Sequence, residues 1–132
     1  MAEILVVEDD EYVNQLMVAI LSRAGHQVAS CATGLEALKK LGVEPPDPSV
    51  KPPDLLVLDI MMPGADGYVV GTLIRNTPHT RDVRILVVSA LQELSRVFTE
   101  TVSLDGYLVK PFAPDDLIGT VTRILGIKNI KG

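Results

Sequence analysis

A single cysteine, Cys31, rules out any disulfide within the chain and any cysteine-rich zinc site. Basic residues are also few: 12 Lys and Arg stand against 17 Asp and Glu, for a net charge of -5. A surface that grips nucleic acid needs clustered Lys and Arg, so direct nucleic-acid binding is not expected of these residues. That balance does not speak to a DNA-binding domain on a partner or elsewhere. No apolar run approaches the ~18 residues a membrane span requires. The apolar start, Ile4 to Val7, is short and is followed at once by Glu8, Asp9 and Asp10. That is the profile of a buried strand, not of a basic head with a long apolar stretch. The expectation is a cytoplasmic protein without membrane contact.

Nearly half of the 132 residues are apolar (47%), enough for a core and unlike the composition of disorder. The length suits one domain, expected over residues 1–125, with 126–132 a tail or the start of a linker. No internal repeat is visible. Uniform apolar runs mark strands at Ile4–Val7, Leu55–Leu58, Ile85–Val88 and Tyr107–Val109, with a weaker one at Gln27–Cys31. Runs without polar alternation suit a parallel sheet covered on both faces.

Between the strands, helical spacing recurs. Val13, Leu16, Met17, Ile20 and Leu21 make a first helix, closed by Gly25. Ala37, Leu38 and Leu41 predict a second helix, Tyr68, Val69, Leu73 and Ile74 a third, and Leu94, Val97, Phe98 and Val102 a fourth. Leu117, Ile118, Val121, Ile124 and Leu125 predict a fifth, with Pro114 at its first position and Asp115 and Asp116 in its first turn. Ala113 is then a weak N-cap. The segment Gly42–Pro53 holds five prolines and reads as a stiff, solvent-facing loop, with a partner-recognition loop as the alternative. The pattern is (βα)5, an α/β chain whose right-handed crossovers favour an open doubly wound sheet.

Ligands of such sheets bind beyond the carboxyl ends of the strands. The polar residues fall there: Glu8, Asp9 and Asp10 after the first strand, Asp59 after the third, Ser89 after the fourth, Lys110 after the fifth. Carboxylates drawn together need a cation, and hard oxygen donors without imidazole or thiolate select Mg²⁺ or Mn²⁺. Asp59 is the best-placed nucleophile for phosphorus. Lys110 would neutralise charge on the transferring group, and Ser89 would hydrogen-bond one of its oxygens. Plainer roles compete. The acidic turn could be solvated, Asp10 could cap the first helix, Ser89 the fourth, and Cys31 reads as a small buried hydrophobe. His26 and His79 fall away from this edge and read as solvent-facing.

The segments ILVVEDD, GHQVASCATGLEAL, LLVLDIMMPGADGY, ILVVSA and GYLVKPF together resemble the receiver domain of two-component response regulators, over essentially the whole chain. The resemblance implies a flavodoxin-like fold with strand order 2-1-3-4-5 and helices on both faces. It implies that Asp59 takes a phosphoryl group from a sensor histidine kinase or a histidine phosphotransfer protein. Metal would be held by Asp9, Asp59 and the carbonyl of Met61, with Glu8 acting through metal-bound water. Ser89 would be the hydroxyl, Lys110 the lysine before an often cis proline, and Tyr107 the aromatic switch residue. The signal would pass through the fourth helix, fifth strand and fifth helix to an output domain, a downstream protein or a second copy in a homodimer. The domain would catalyse only its own phosphorylation and dephosphorylation. Three departures stand out: a longer proline-rich segment after the second helix, SLDGYL where the family more often has GADDYL, and a stretch from Ser89 to Lys110 about one residue shorter than in the family.

Two other functions share parts of this pattern. A haloacid-dehalogenase-like phosphohydrolase needs a second aspartate two residues after the nucleophile, where this chain has Met61. A phosphorylation-independent binding module of receiver fold usually lacks one of the acidic or lysine positions, and all are present here.

Overall fold

A computed structural model describes residues 2–59, 67–90 and 104–126. The chain alternates β1 (Glu3–Val7), α1 (Glu11–Arg23), β2 (Gln27–Cys31), α2 (Gly34–Lys40), β3 (Leu55–Asp59), α3 (Gly67–Arg75), β4 (Arg84–Ser89), β5 (Gly106–Val109) and α4 (Pro114–Leu125). The expected fifth helix is α4. The expected fourth helix, at Leu94–Val102, falls outside the described residues. The five strands form one parallel sheet in the order β2-β1-β3-β4-β5, the order the resemblance implied.

The central strands are apolar over Ile4–Val7, Leu55–Leu58 and Ile85–Val88 because both faces are covered there, and alternate residues serve different cores. Leu5, Val7, Leu56, Leu58, Ile85 and Val87 pack with Ala37, Leu38, Val70 and Ile74 of α2 and α3. Ile4, Val6, Leu55, Val57, Leu86 and Val88 pack with Met17, Leu21, Leu117 and Val121 of α1 and α4. This alternation decides what happens at the strand ends. Glu8 continues the parity of Ile4 and Val6, and Asp59 that of Leu55 and Val57. Both therefore emerge toward the α1/α4 side.

Local chemistry fixes the helix ends. Asp10 caps α1, its carboxylate accepting from the Val13 N–H at 3.0 Å, as the plainer reading of that residue held. Gly25, at φ +99°, turns the chain out of α1. Ala113 has no capping side chain, but Asp116 Oδ2 accepts the Ala113 N–H at 3.0 Å and so supplies the return half of a capping box. Cys31 is buried, and burial pushes its thiol up to about 11, in keeping with an inert packing role.

Two expectations need correction. His26 and His79 are half-buried rather than solvent-facing. His26 Nδ1 accepts the Ala2 N–H at 3.2 Å, and His79 Nε2 lies 2.9 Å from the Leu41 carbonyl oxygen. Their polar atoms serve backbone groups at chain turns, which patterning does not reveal. The proline-rich segment is exposed over residues 44–49, yet its start is anchored. Val43 is buried, with its N–H donated to the Leu38 carbonyl at 2.9 Å. The Asp47 N–H returns to the Gly42 carbonyl at 2.8 Å. The peptide bond before Pro45 is cis, as is the one before Pro111.

Gly42 sits at φ +70°, where a Cβ would run into the Asp47 carbonyl oxygen and approach Val50 Cγ2 at 2.9 Å. Left-handed backbone costs other residues ~1–2 kcal/mol before any collision. Denaturant unfolding of Gly42→Ala should therefore show a loss of about 2 kcal/mol. An unchanged midpoint would mean that this turn is not held as described.

Candidate functional site

Sheet register brings the site together. β1 and β3 pair to Val7 with Leu58, so Glu8 and Asp59 emerge side by side one step later. β3 pairs Asp59 with Val88, and β4 pairs Ser89 with Val109. The Lys110 N–H then donates to the Ser89 carbonyl at 2.8 Å, carrying the lysine over the same edge. Glu8, Asp59 and Ser89 are buried, at 1%, 4% and 1% exposure, whereas Asp9 is exposed.

One cation bridges two of these carboxylates. Lys110 Nζ lies 2.8 Å from Glu8 Oε1 and 3.5 Å from Asp59 Oδ2, although Glu8 and Lys110 are 102 residues apart. Oxygen atoms of Glu8, Asp9 and Asp59 all lie within 4.8 Å of one another. Among the described residues this is the group with the geometry of a metal site. Its donors are all carboxylates, which suits a hard cation such as Mg²⁺. Of the expected ligands, Met61 falls outside the described residues.

Burial dominates the electrostatics of Glu8. It pushes the carboxyl up to about 7; Lys110 pulls against this, and neighbouring Asp59 adds to the rise. For Lys110, burial favours the neutral form, but the hydrogen bond to Glu8 and the charge of Asp59 outweigh it and hold the ammonium above its usual value. The acidic group is thus short of positive charge, and a divalent cation would supply it.

The loop bearing the acidic pair is tied down on several sides. The Asp10 N–H donates to Glu8 Oε2 at 3.2 Å, and the Glu8 N–H to the Cys31 carbonyl at 3.2 Å. Asn14 Nδ2 donates to the Glu8 carbonyl at 2.9 Å and the Cys31 carbonyl at 3.1 Å. Sequence reading did not single out Asn14. Its sole signal is a short amide inside a helix, where that side chain is a weak helix former. Tyr107 is half-buried and packs against the α2/α3 core. At the far end of β5, Asp105 Oδ2 accepts the Ile85 N–H at 2.8 Å and meets Arg75 Nη2 at 3.3 Å, joining the ends of α3, β4 and β5. No helix among the described residues is long and apolar enough to cross a membrane.

Comparison with known proteins agrees with this geometry. The response regulator receiver domain matches residues 4–122. The chain belongs to that family, a signalling domain rather than a turnover enzyme on an external substrate. It is 36% identical over 124 residues to the probable transcriptional regulator ycf27 of Porphyridium aerugineum, covering 93% of this chain and 48% of that protein. The chain spans about half the length of the curated relatives it matches. Among solved structures, a putative response regulator from Chloroflexus aurantiacus superposes with TM-score 0.83 at 32% identity, over 95% of this chain and 98% of that one. The response regulator TrrA of Thermotoga maritima, in complex with Mg²⁺ and BeF, gives 0.79 at 31% identity, over 94% and 99%.

The raised Glu8 carboxyl has a consequence for stability. Its folded value, about 7, exceeds the ordinary 4.5. Its contribution to stability is then fully present below pH 4.5 and lost as pH rises through 7. In metal-free buffer the stability of Glu8→Gln relative to wild type should rise between about pH 5 and 8. A pH-independent difference between the two melting curves would contradict the buried setting of Glu8.

Proposed function

We propose that Asp59 is the phosphoacceptor of a two-component phosphorelay, taking its phosphoryl group from a histidine of a sensor kinase or phosphotransfer protein. The observation that carries this reading is the group formed by Asp59, Glu8, Asp9 and Lys110 at one strand edge, with oxygens within 4.8 Å and the lysine at 2.8 and 3.5 Å from two of the carboxylates. An Asp59 oxygen attacks phosphorus in line while the bond to the donor imidazole nitrogen breaks. The nitrogen keeps that electron pair, and Asp59 becomes an acyl phosphate. Lys110 turns from the carboxylates to a phosphoryl oxygen, and the Ser89 hydroxyl donates to another. Water later attacks the same phosphorus, the bond from phosphorus to the Asp59 oxygen breaks with its electron pair on that oxygen, and inorganic phosphate leaves with Asp59 again a free carboxylate.

Asp9, Asp59 and the Met61 carbonyl would hold Mg²⁺, or Mn²⁺, with Glu8 in support through water. The bound ion supplies charge neutralisation for the transferring group. The all-oxygen donor set and the raised Glu8 carboxyl support this assignment. A cleft of about 420 Å³ beside Lys110, lined by Tyr12, Val13, Leu16, Ala90, Pro111 and Phe112, gives the phosphodonor protein an apolar seat next to the acceptor.

Phosphorylation adds about two negative charges at Asp59. Ser89 and Tyr107 would relay that change. Ser89 lies at the end of β4, and Tyr107, half-buried in the neighbouring strand, can turn further inward when Ser89 shifts toward the phosphoryl group. The altered face, made by the expected fourth helix, β5 and α4, would be read by an output domain, a downstream protein or a second copy. The transcriptional role named for the ycf27 relative favours an output on gene expression.

Acetyl phosphate with Mg²⁺ should add one phosphoryl group to wild type and none to Asp59→Asn, as read by intact-mass spectrometry; equal labelling of both would sink the assignment. Calorimetric titration should show weak Mg²⁺ binding that disappears in Asp9→Ala. Undiminished affinity in that variant would remove Asp9 from the site.

A further inference from the structure

We propose that Asn14 is a positioning residue for the acidic site: its side-chain amide clamps the Glu8 carbonyl and so aims the Glu8–Asp9 turn at Asp59. This rests on reading that site as the Mg²⁺-dependent phosphoacceptor. The last rung between β1 and β2 is the Glu8 N–H to the Cys31 carbonyl, at 3.2 Å. Beyond it the two strands part, β1 into α1 and β2 toward the cap of α2. Two carbonyls of these strands, those of Glu8 and Cys31, converge on one nitrogen. Asn14 Nδ2 meets them at 2.9 and 3.1 Å, so both hydrogens of its amide are used. A carbonyl oxygen only accepts, so the nitrogen and not the oxygen of the amide must face them.

The clamp acts where aim matters. The Glu8 carbonyl belongs to the peptide that joins Glu8 to Asp9, so fixing it fixes the plane from which both acidic side chains start. The Asn14 N–H itself donates to the Asp10 carbonyl at 2.8 Å, and Asp10 caps the same helix through Val13. One turn of α1 therefore holds the whole acidic loop against the end of the sheet. The amide also directs positive hydrogens at two carbonyl dipoles that lie beside a cluster of carboxylates. Partners one step removed from a metal's ligands commonly control affinity by 10–100-fold.

The experiment compares wild type, Asn14→Ala and Asn14→Leu in three measurements: melting temperature, Mg²⁺ dissociation constant, and acetyl phosphate labelling of Asp59 at low and saturating Mg²⁺. Alanine is the better helix former, which favours folding of that variant. Leucine keeps the side-chain volume and removes the donor. The expected result is Mg²⁺ binding weakened about tenfold, with labelling slowed at low Mg²⁺ and restored to within about twofold at saturation. A purely structural tie would lower the melting temperature and leave the dissociation constant within about twofold of wild type, which overturns the proposal. Labelling that stays equally depressed at saturation overturns it too, as does failure of both variants to fold. If wild type itself neither binds Mg²⁺ nor labels on Asp59, the reading of the site fails first, and this inference fails with it.

Discussion

Everything at the functional edge follows from carboxylates held together out of water with too little positive charge beside them. Glu8 and Asp59 are nearly inaccessible, and Asp9 joins them from the rim. Lys110 reaches two of the three, closely for Glu8 and less so for Asp59. Its single charge does not offset the burial of Glu8, whose carboxyl stays close to neutral pH in its affinity for a proton. Such a cluster is poised to take up a cation, and with it an anionic group that needs the same cation. The cost in stability is the condition for the proposed chemistry.

The sheet meets this constraint through parity. In a strand buried on both faces, each step changes which core a residue enters. Ile4, Val6 and Leu55, Val57 point toward α1 and α4, so the next residues of that parity, Glu8 and Asp59, leave the sheet on the same side. Leu108 has that parity in β5, and Lys110 follows it. Tyr107 has the opposite parity and packs on the α2/α3 side with Leu73 and Leu104. The proposed chemistry and the proposed readout therefore lie on opposite faces of one sheet, and Ser89, which continues the parity of Ile85 and Val87 in β4, falls on the side of Tyr107.

Much of this was legible in the sequence because the physics is local. Apolar runs that end abruptly in Glu8, Asp59, Ser89 and Lys110 reveal both the strands and the edge where they end. The helical spacing of Leu117, Val121 and their neighbours likewise needs nothing beyond the segment itself. What escaped depends on contacts distant in sequence or on backbone geometry. Nothing around Asn14 announces two carbonyls from separate strands. Nothing around His79 announces the Leu41 carbonyl, 38 residues away. Asp105 looks like a turn residue, yet its carboxylate substitutes for a ladder acceptor at Ile85. The proline count of the Gly42–Pro53 loop suggested exposure, and the buried Val43 at its start was hidden by the same count. Strand order came from resemblance, since periodicity carries no information on which strands are neighbours.

The most direct test of the central claim uses beryllofluoride, which mimics a phosphoryl group on a carboxylate without a leaving group. Fluorine NMR of the chain with beryllium, fluoride and Mg²⁺ should show slowly exchanging, protein-bound resonances in wild type. These should vanish in Asp59→Asn and on removal of Mg²⁺, and should weaken in Lys110→Ala. Bound resonances of equal intensity in Asp59→Asn, or none in the wild type at saturating Mg²⁺, would contradict the account.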